Sequence, residues 1–295
     1  MKGPYTVEFR ISEDRANKLL GPSVGVVMRS GTTRRVEAAP GDPLYERIGE
    51  LERQFNAGGG VFFTACIPHR RYTPAEVEAA EILRLDIHAV FEPAGEDCGT
   101  VYDESTACAQ CGVGRTQVSD LTLNLRGISA GWDVHTRPGP QGKDIARTIA
   151  DEIVVSERLA TLFREHQVTG VELRPVRHYR TPRKPLPAWY QLVVTSAPVH
   201  TAAPTGFGIN PFDEDAAGLY RCPLGHVAGL NLLSELTIRG SDWDGADIIA
   251  TAERVGHRGG GLLVPSPLLL VSPRLYRLFR DERVKGARVE VAHLG

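Results

Sequence analysis

Two stretches of this chain carry the same order of apolar and polar positions. Val155 to Arg164 reads VSERLATLFR and Val271 to Arg280 reads VSPRLYRLFR, matching without a gap. Leu159, Leu162 and Phe163 recur at helical spacing, as do Leu275, Leu278 and Phe279, so each stretch predicts a short helix with one apolar face turned to the core. Ser156 and Ser272 stand where a hydroxyl can satisfy an orphan backbone N–H. Pro273 takes the first helical position, where its missing N–H costs nothing. The match runs on through Val168 and Gly170 against Val284 and Gly286. These glycines predict the turn before a final strand, Val171 to Val176 in one copy and Ala287 to Val291 in the other.

The likeness extends upstream. Ser119 to Leu123 (SDLTL) parallels Ser234 to Ile238 (SELTI), and Asp144 to Thr148 loosely parallels Asp247 to Thr251 at a different offset. Ahead of each strand lies a metal-knuckle sequence, Cys108-Ala-Gln-Cys111-Gly112 and Cys222-Pro-Leu-Gly-His226. The order knuckle, strand, Asp-Ile segment, helix, strand occurs twice, which predicts two related halves packed together. The expected fold class is α+β, with tandem halves at 105–180 and 219–295, a linker at 181–218 and an N-terminal α+β extension at 1–104. In that extension Tyr5 onward reads as a strand and turn. Thr73, Pro74 and Glu76 read as a capped helix start running to about Leu83 or Leu85, and Leu85 to Phe91 alternates like a strand.

Cys-x-x-Cys-Gly lets two thiolates face one ion while the glycine permits the tight turn beneath it. A closed structural zinc site wants four ligands, and Cys222 and His226 stand at the matching place in the second copy. Cys108, Cys111, Cys222 and His226 therefore predict a structural Zn2+ site, with no open position for a catalytic water. Cys98 is the rival for the place of His226. Cys66, within an apolar run, reads as a small buried hydrophobe.

The chain has 295 residues and a net charge of -2, with 42% hydrophobic and 24% charged residues. This is the composition of an ordinary globular protein, and it carries no electrostatic footprint for nucleic acid or an anionic membrane. The apolar run from Leu262 to Val271 is broken by Pro265 and Pro267 and is too short to span a bilayer. The odd cysteine count and polar start predict reduced thiols and a cytoplasmic location. Catalytic motifs are missing: the sequence has no G-x-S-x-G elbow, no Walker loop and no H-E-x-x-H. Gly256 to Gly261 is glycine-rich but reads as a turn, since the Lys-Ser/Thr ending of a phosphate loop is lacking. Gly240 to Asp247 reads as a capping turn exposing a face of Trp243, not as a calcium loop. Arg174 to Lys184 reads as a solvated basic loop.

The twin knuckles, the segments Leu233 to Ile238 and Ser241 to Asp247, and the ending Lys285 to His293 resemble the bacterial double-CXXCG motif proteins from about residue 60 onward. The second site departs from the family pattern, reading Cys222-Pro-Leu-Gly-His226. The resemblance implies a zinc-knuckle immunity protein that neutralises a cognate toxin by direct binding, with no catalysis. Trp132, Trp189, Trp243 and the Arg-rich loop are its candidate anchors. The alternative is a zinc-stabilised hydrolase acting on nucleic acid or nucleotide, which would need His69, His88, His135 and Asp144 to converge.

Overall fold

The computed structural model describes residues 5–130, 142–216, 218, 221–224, 226, 230–256 and 265–295. The fold is mixed α+β, in two compact units. Met1–Glu76 and Asn210–Glu214 form the first; Val77–Ile209 and Asp215–Gly295 form the second. No helix among the described residues is long and apolar enough to cross a membrane.

The first unit is a four-stranded antiparallel sheet ordered β2-β3-β1-β4, from β1 (Tyr5–Ser12), β2 (Val26–Val27), β3 (Thr33–Ala38) and β4 (Phe63–Arg70). Helices α1 (Glu13–Leu20) and α2 (Pro43–Ala57) connect them. Val7, Phe9 and Ile11 alternate along β1 and are fully buried against Ile48 and Leu51 of α2, as a half-buried strand requires. Asp42 caps α2 and Pro43 opens it.

The core of this unit is completed from far along the chain. Phe212 stacks on Phe9 at 5.8 Å between ring centroids and packs against Tyr45 and Phe63. Gly49 of α2 makes the room, because a Cβ there would lie 2.7 Å from the Phe212 ring. Alanine would gain about 1 kcal/mol of helix propensity over glycine. The overlap opposes that gain, since the ring is wedged among three other aromatics. We expect Gly49→Ala to destabilise the unit by about 1–2 kcal/mol net, measured by denaturant unfolding. A stabilised variant would mean that Phe212 moves aside freely.

Helix α3 (Pro74–Ala79) begins with the expected box: the Thr73 N–H donates to Glu76 Oε2 at 2.7 Å and the Glu76 N–H to Thr73 Oγ1 at 3.2 Å. It ends sooner than the pattern predicts. Leu83 and Leu85 belong to β5 (Ile82–Ile87), which is paired antiparallel on both edges, so sheet pairing outweighs helix continuation.

The second unit contains two five-stranded sheets. The first, ordered β12-β14-β11-β10-β6, uses β6 (Val90–Phe91), β10 (Ile145–Thr148), β11 (Ile153–Ser156), β12 (Val171–Pro175) and β14 (Trp189–Val194). The other, ordered β17-β20-β5-β19-β18, uses β17 (Leu236–Ile238), β18 (Ile248–Val255), β19 (Ser266–Val271) and β20 (Ala287–Leu294) around β5. Three short pairs complete it: β7 (Tyr102–Asp103) with β8 (Thr116–Gln117), β9 (Thr122–Leu123) with β13 (Arg177–His178), and β15 (Phe207–Gly208) with β16 (Asn231–Leu232). Short helix α4 (Leu125–Ala130) follows β9.

Helices α5 (Glu157–Glu165) and α6 (Pro273–Asp281) begin alike, with the Ser156 and Ser272 hydroxyls accepting from the Leu159 and Leu275 N–H groups. Their apolar faces bury Leu159 and Leu275, and Phe163 stacks on Phe279 at 6.0 Å with rings 7° apart.

Two aspartates beside these helices carry matching contacts. Asp144 accepts from Arg158 (Nε and Nη2, both 2.9 Å), from Ser156 and from the Lys285 N–H at 3.0 Å. Asp247 accepts from Arg274, from Ser272 at 2.7 Å and from the Thr169 N–H at 3.0 Å. Each aspartate thus joins its own serine and arginine to the turn after the other helix. Burial works against both charges, but the guanidiniums and N–H groups prevail, holding Asp144 below its ordinary value and Asp247 at about 2. Gly170 and Gly286 have φ of 83° and 115°. A Cβ at either would lie 2.1 Å from the Ile248 carbonyl oxygen or 1.9 Å from that of Ile145, so no side chain fits.

Candidate metal centre

Between β7 and β8 the chain makes a tight turn carrying Cys108 and Cys111. The Gly112 N–H returns to the Cys108 carbonyl and the Cys108 N–H donates to the Val113 carbonyl, both at 2.7 Å. Gly112 has φ of 72° and Gly114 of 98°, the left-handed geometry that favours glycine. The ribbon is fastened to the first sheet at its base. Tyr102 donates its hydroxyl to Glu152 at 2.7 Å, and the Gln117 and Gln191 amides exchange hydrogen bonds at 3.1 and 2.7 Å. Arg115 lies over the Tyr102 ring at 4.3 Å and donates to Glu96 and Glu104.

The second pair arrives from the segment before β16. The Cys222 N–H donates to the His226 carbonyl at 3.0 Å, and the Leu224 N–H points at Cys222 Sγ at 3.4 Å. Asp215, with φ of 60°, accepts from the Arg221 N–H at 3.1 Å and fixes the approach.

These two segments bring four ligand atoms together. Cys108 Sγ lies 3.7 Å from Cys222 Sγ, and Cys111 Sγ lies 3.4 Å from His226 Nδ1. All four ligand atoms fall within 4.8 Å of one another, so Cys108, Cys111, Cys222 and His226 could hold a metal ion. Cys111 and Cys222 are buried, Cys108 is half-buried and His226 is exposed. The Cys108 sulfur accepts from the Cys111 and Gln110 N–H groups, which lower its thiol to about 6, whereas burial pushes Cys111 up. A thiol that ionises near neutrality is the form a cation binds.

Cys98, the rival ligand, lies outside the cluster. It is the last residue of a short turn, Glu96–Cys98, receives the Asn124 N–H and is pushed up by burial. Cys66 is half-buried against the core of the first unit, and burial pushes it to about 11.

The other candidates divide clearly. His69 belongs to the first unit, 3.4 Å from Glu8. His88 is pushed down by burial and by Lys143. Asp144 is occupied by the structural contacts described above. His135, His257, Trp132 and most of the glycine-rich run from 256 to 261 lie outside the described residues. Trp189 is buried. Trp243 is less exposed than its sequence suggests: it packs against the core of the second sheet and donates its indole N–H to the Ala246 carbonyl at 3.0 Å.

The Asp144–Arg158 and Asp247–Arg274 pairs are contacts that pattern reading overlooks, although the arginine stands at the same place in both ten-residue stretches. Comparison with known proteins finds no family model that matches the chain and no curated protein similar to it.

Proposed function

We propose that the ion is zinc, held as a closed structural staple between two related halves of the second unit, and that the protein works by binding another protein. The observation that carries the metal assignment is the spacing of the ligand atoms. With Zn–S of about 2.3 Å and Zn–N of about 2.0 Å, a regular tetrahedron has S···S edges of about 3.8 Å and S···N edges of about 3.5 Å. Two of the six edges here are 3.7 and 3.4 Å, and all six lie within 4.8 Å. Three thiolates and an imidazole are a soft donor set suited to zinc. Four protein ligands leave no place for a reacting water. The recurring serine caps, arginines, aspartates and glycines support the reading of two halves.

The binding role rests on the resemblance to the double-CXXCG immunity proteins, and the surface supports one contact region. Of the described anchors, the arm from Arg174 to Lys184 is the accessible one. It holds five cations and no acid. Arg174 pairs with Glu172 and Arg177 with Asp120, each at 2.6 Å. Arg180 lies over Tyr179, a ring 41% exposed, while Arg183 and Lys184 are exposed with no ion pair among the described residues. Such an arm suits an acidic protein surface, with Tyr179 and Arg180 as the anchors.

The test is co-expression with the toxin-like reading frame expected beside the gene in its bacterium. The wild type should form a one-to-one complex that weakens only modestly as salt rises and should restore growth. Arg180→Glu with Arg183→Glu should weaken the complex at least tenfold while leaving folding within about 0.5 kcal/mol, as surface changes do. Failure of the wild type to bind or protect would overturn the reading. Binding that collapses steeply with salt would point to nucleic acid.

A further inference from the structure

The four-ligand cluster is asymmetric in a way that bears on its chemistry. Cys111 and Cys222 are 7% and 6% exposed, whereas Cys108 is half-buried and His226 is open to solvent. A small oxidant therefore reaches the cluster on the Cys108 and His226 side. Cys108 Sγ lies 3.7 Å from Cys222 Sγ and also contacts Cys111, whose sulfur lies 3.4 Å from the His226 ring nitrogen. Both backbones are held by their own turns, so closing a bond asks the sulfurs to approach by less than two ångströms through side-chain rotation.

We propose that this cluster is also a peroxide-sensitive thiol site, in which Cys108 is oxidised first and Cys222 closes a disulfide onto it, expelling the metal. The proposal rests on the metal reading given above only for the expulsion; the thiol pair stands on its own geometry. The reaction consumes one peroxide. The Cys108 thiolate attacks a peroxide oxygen, the O–O bond breaks and hydroxide leaves, giving a sulfenic acid. The Cys222 thiolate then attacks that sulfur, the S–O bond breaks and a second hydroxide leaves. The two electrons that reduce the peroxide come from the two sulfurs, and the hydroxides take up protons to become water. The ion is left with Cys111 and His226, too few ligands to retain it.

The outcome for the fold is a change of fastening. Residues 114 positions apart in sequence, joined through an ion in the reduced protein, become joined by a covalent bond. Cys66 and Cys98 lie outside the cluster and serve as internal controls.

The experiment uses the full chain, reduced and loaded with zinc, its metal content measured before treatment. Hydrogen peroxide is added, zinc release is followed with a chromogenic chelator, and disulfides are mapped by peptide mass spectrometry. We expect release of about one zinc per chain, a Cys108–Cys222 linked peptide, and Cys66 and Cys98 still open to alkylation. Reductant with zinc should reverse all three. Cys108→Ser, which also removes a ligand, should abolish the linked peptide at that position; if that variant does not fold, the wild-type map decides. A Cys108–Cys111 disulfide alone, release without any disulfide, or zinc retained under peroxide would overturn the proposal. A reduced protein that holds no zinc would reject the metal reading, and the disulfide map on the same sample would still decide the thiol pairing.

Discussion

Stripping the proposed ion from Cys108, Cys111, Cys222 and His226 is expected to cause the largest loss of stability of any single treatment of this protein. An ion present at a thousand times its dissociation constant stabilises the folded state by about 4 kcal/mol. The loss should be large because each segment alone supplies only half a site, and little else described fastens the turn around Cys222. The measurement is denaturant unfolding with and without a strong chelator, together with metal content. His226→Ala should lower metal content and lose part of the stabilisation, since that ligand sits at the exposed edge. Cys98→Ala should leave metal content unchanged, because Cys98 lies outside the cluster. Unfolding curves that do not respond to chelation would sink the staple. Acid should act in the same direction as the chelator, because all four ligands must be deprotonated to bind.

The second large effect is expected at Asp247. Its carboxylate is buried and joins Ser272, Arg274 and the Thr169 N–H. Asp247→Ala leaves the buried Ser272 hydroxyl without its acceptor, while Arg274, 56% exposed, can return to water, so it should cost about 2–3 kcal/mol. Asp144→Ala should cost less, since its side chain is 12% exposed against 5% for Asp247. The same carboxylate predicts a pH dependence of definite sign. Its folded value of about 2 lies below the ordinary 3.8. The stabilisation is therefore complete above about pH 4 and disappears as pH falls through about 2. It amounts to about 2 kcal/mol at neutral pH. In Asp247→Asn the fall in stability between those limits should flatten, as followed by unfolding at a series of pH values. An unchanged acid limb would show that Asp247 ionises alike in the folded and unfolded chain.

Much of the second unit was legible because its signals are local. Ser156, Ser272 and the spacing of Leu159, Phe163, Leu275 and Phe279 specify caps and apolar faces within a single helical turn or two, and the structure places them so. The meeting of Cys108 and Cys111 with Cys222 and His226 was legible for another reason: the spacing matched a chemical requirement for four ligands, and the upstream likeness indicated where the missing two would lie. Elsewhere the deciding contacts are distant in sequence. Leu83 and Leu85 fit a continued helix on periodicity, but strands from the far end of the chain claim them. Asp144 and Asp247 were legible only as the matching starts of two Asp-Ile segments, and Asp144 as a catalytic candidate, because their partners Lys285 and Thr169 lie far away in sequence. Trp243 looked free beside its acidic neighbours, and only the position of Ala246 shows its ring tucked in.

Phe212 has a consequence for the order in which the protein can be made. The ribosome releases the first sheet and both of its helices long before residue 212 emerges. Until then Phe9, Tyr45 and Phe63 present an unfilled aromatic slot beside Gly49. Domains ordinarily finish folding in the order they are synthesised. Here the earlier segment must wait, its greasy slot open to chaperones or to another nascent chain, until residue 212 has been translated.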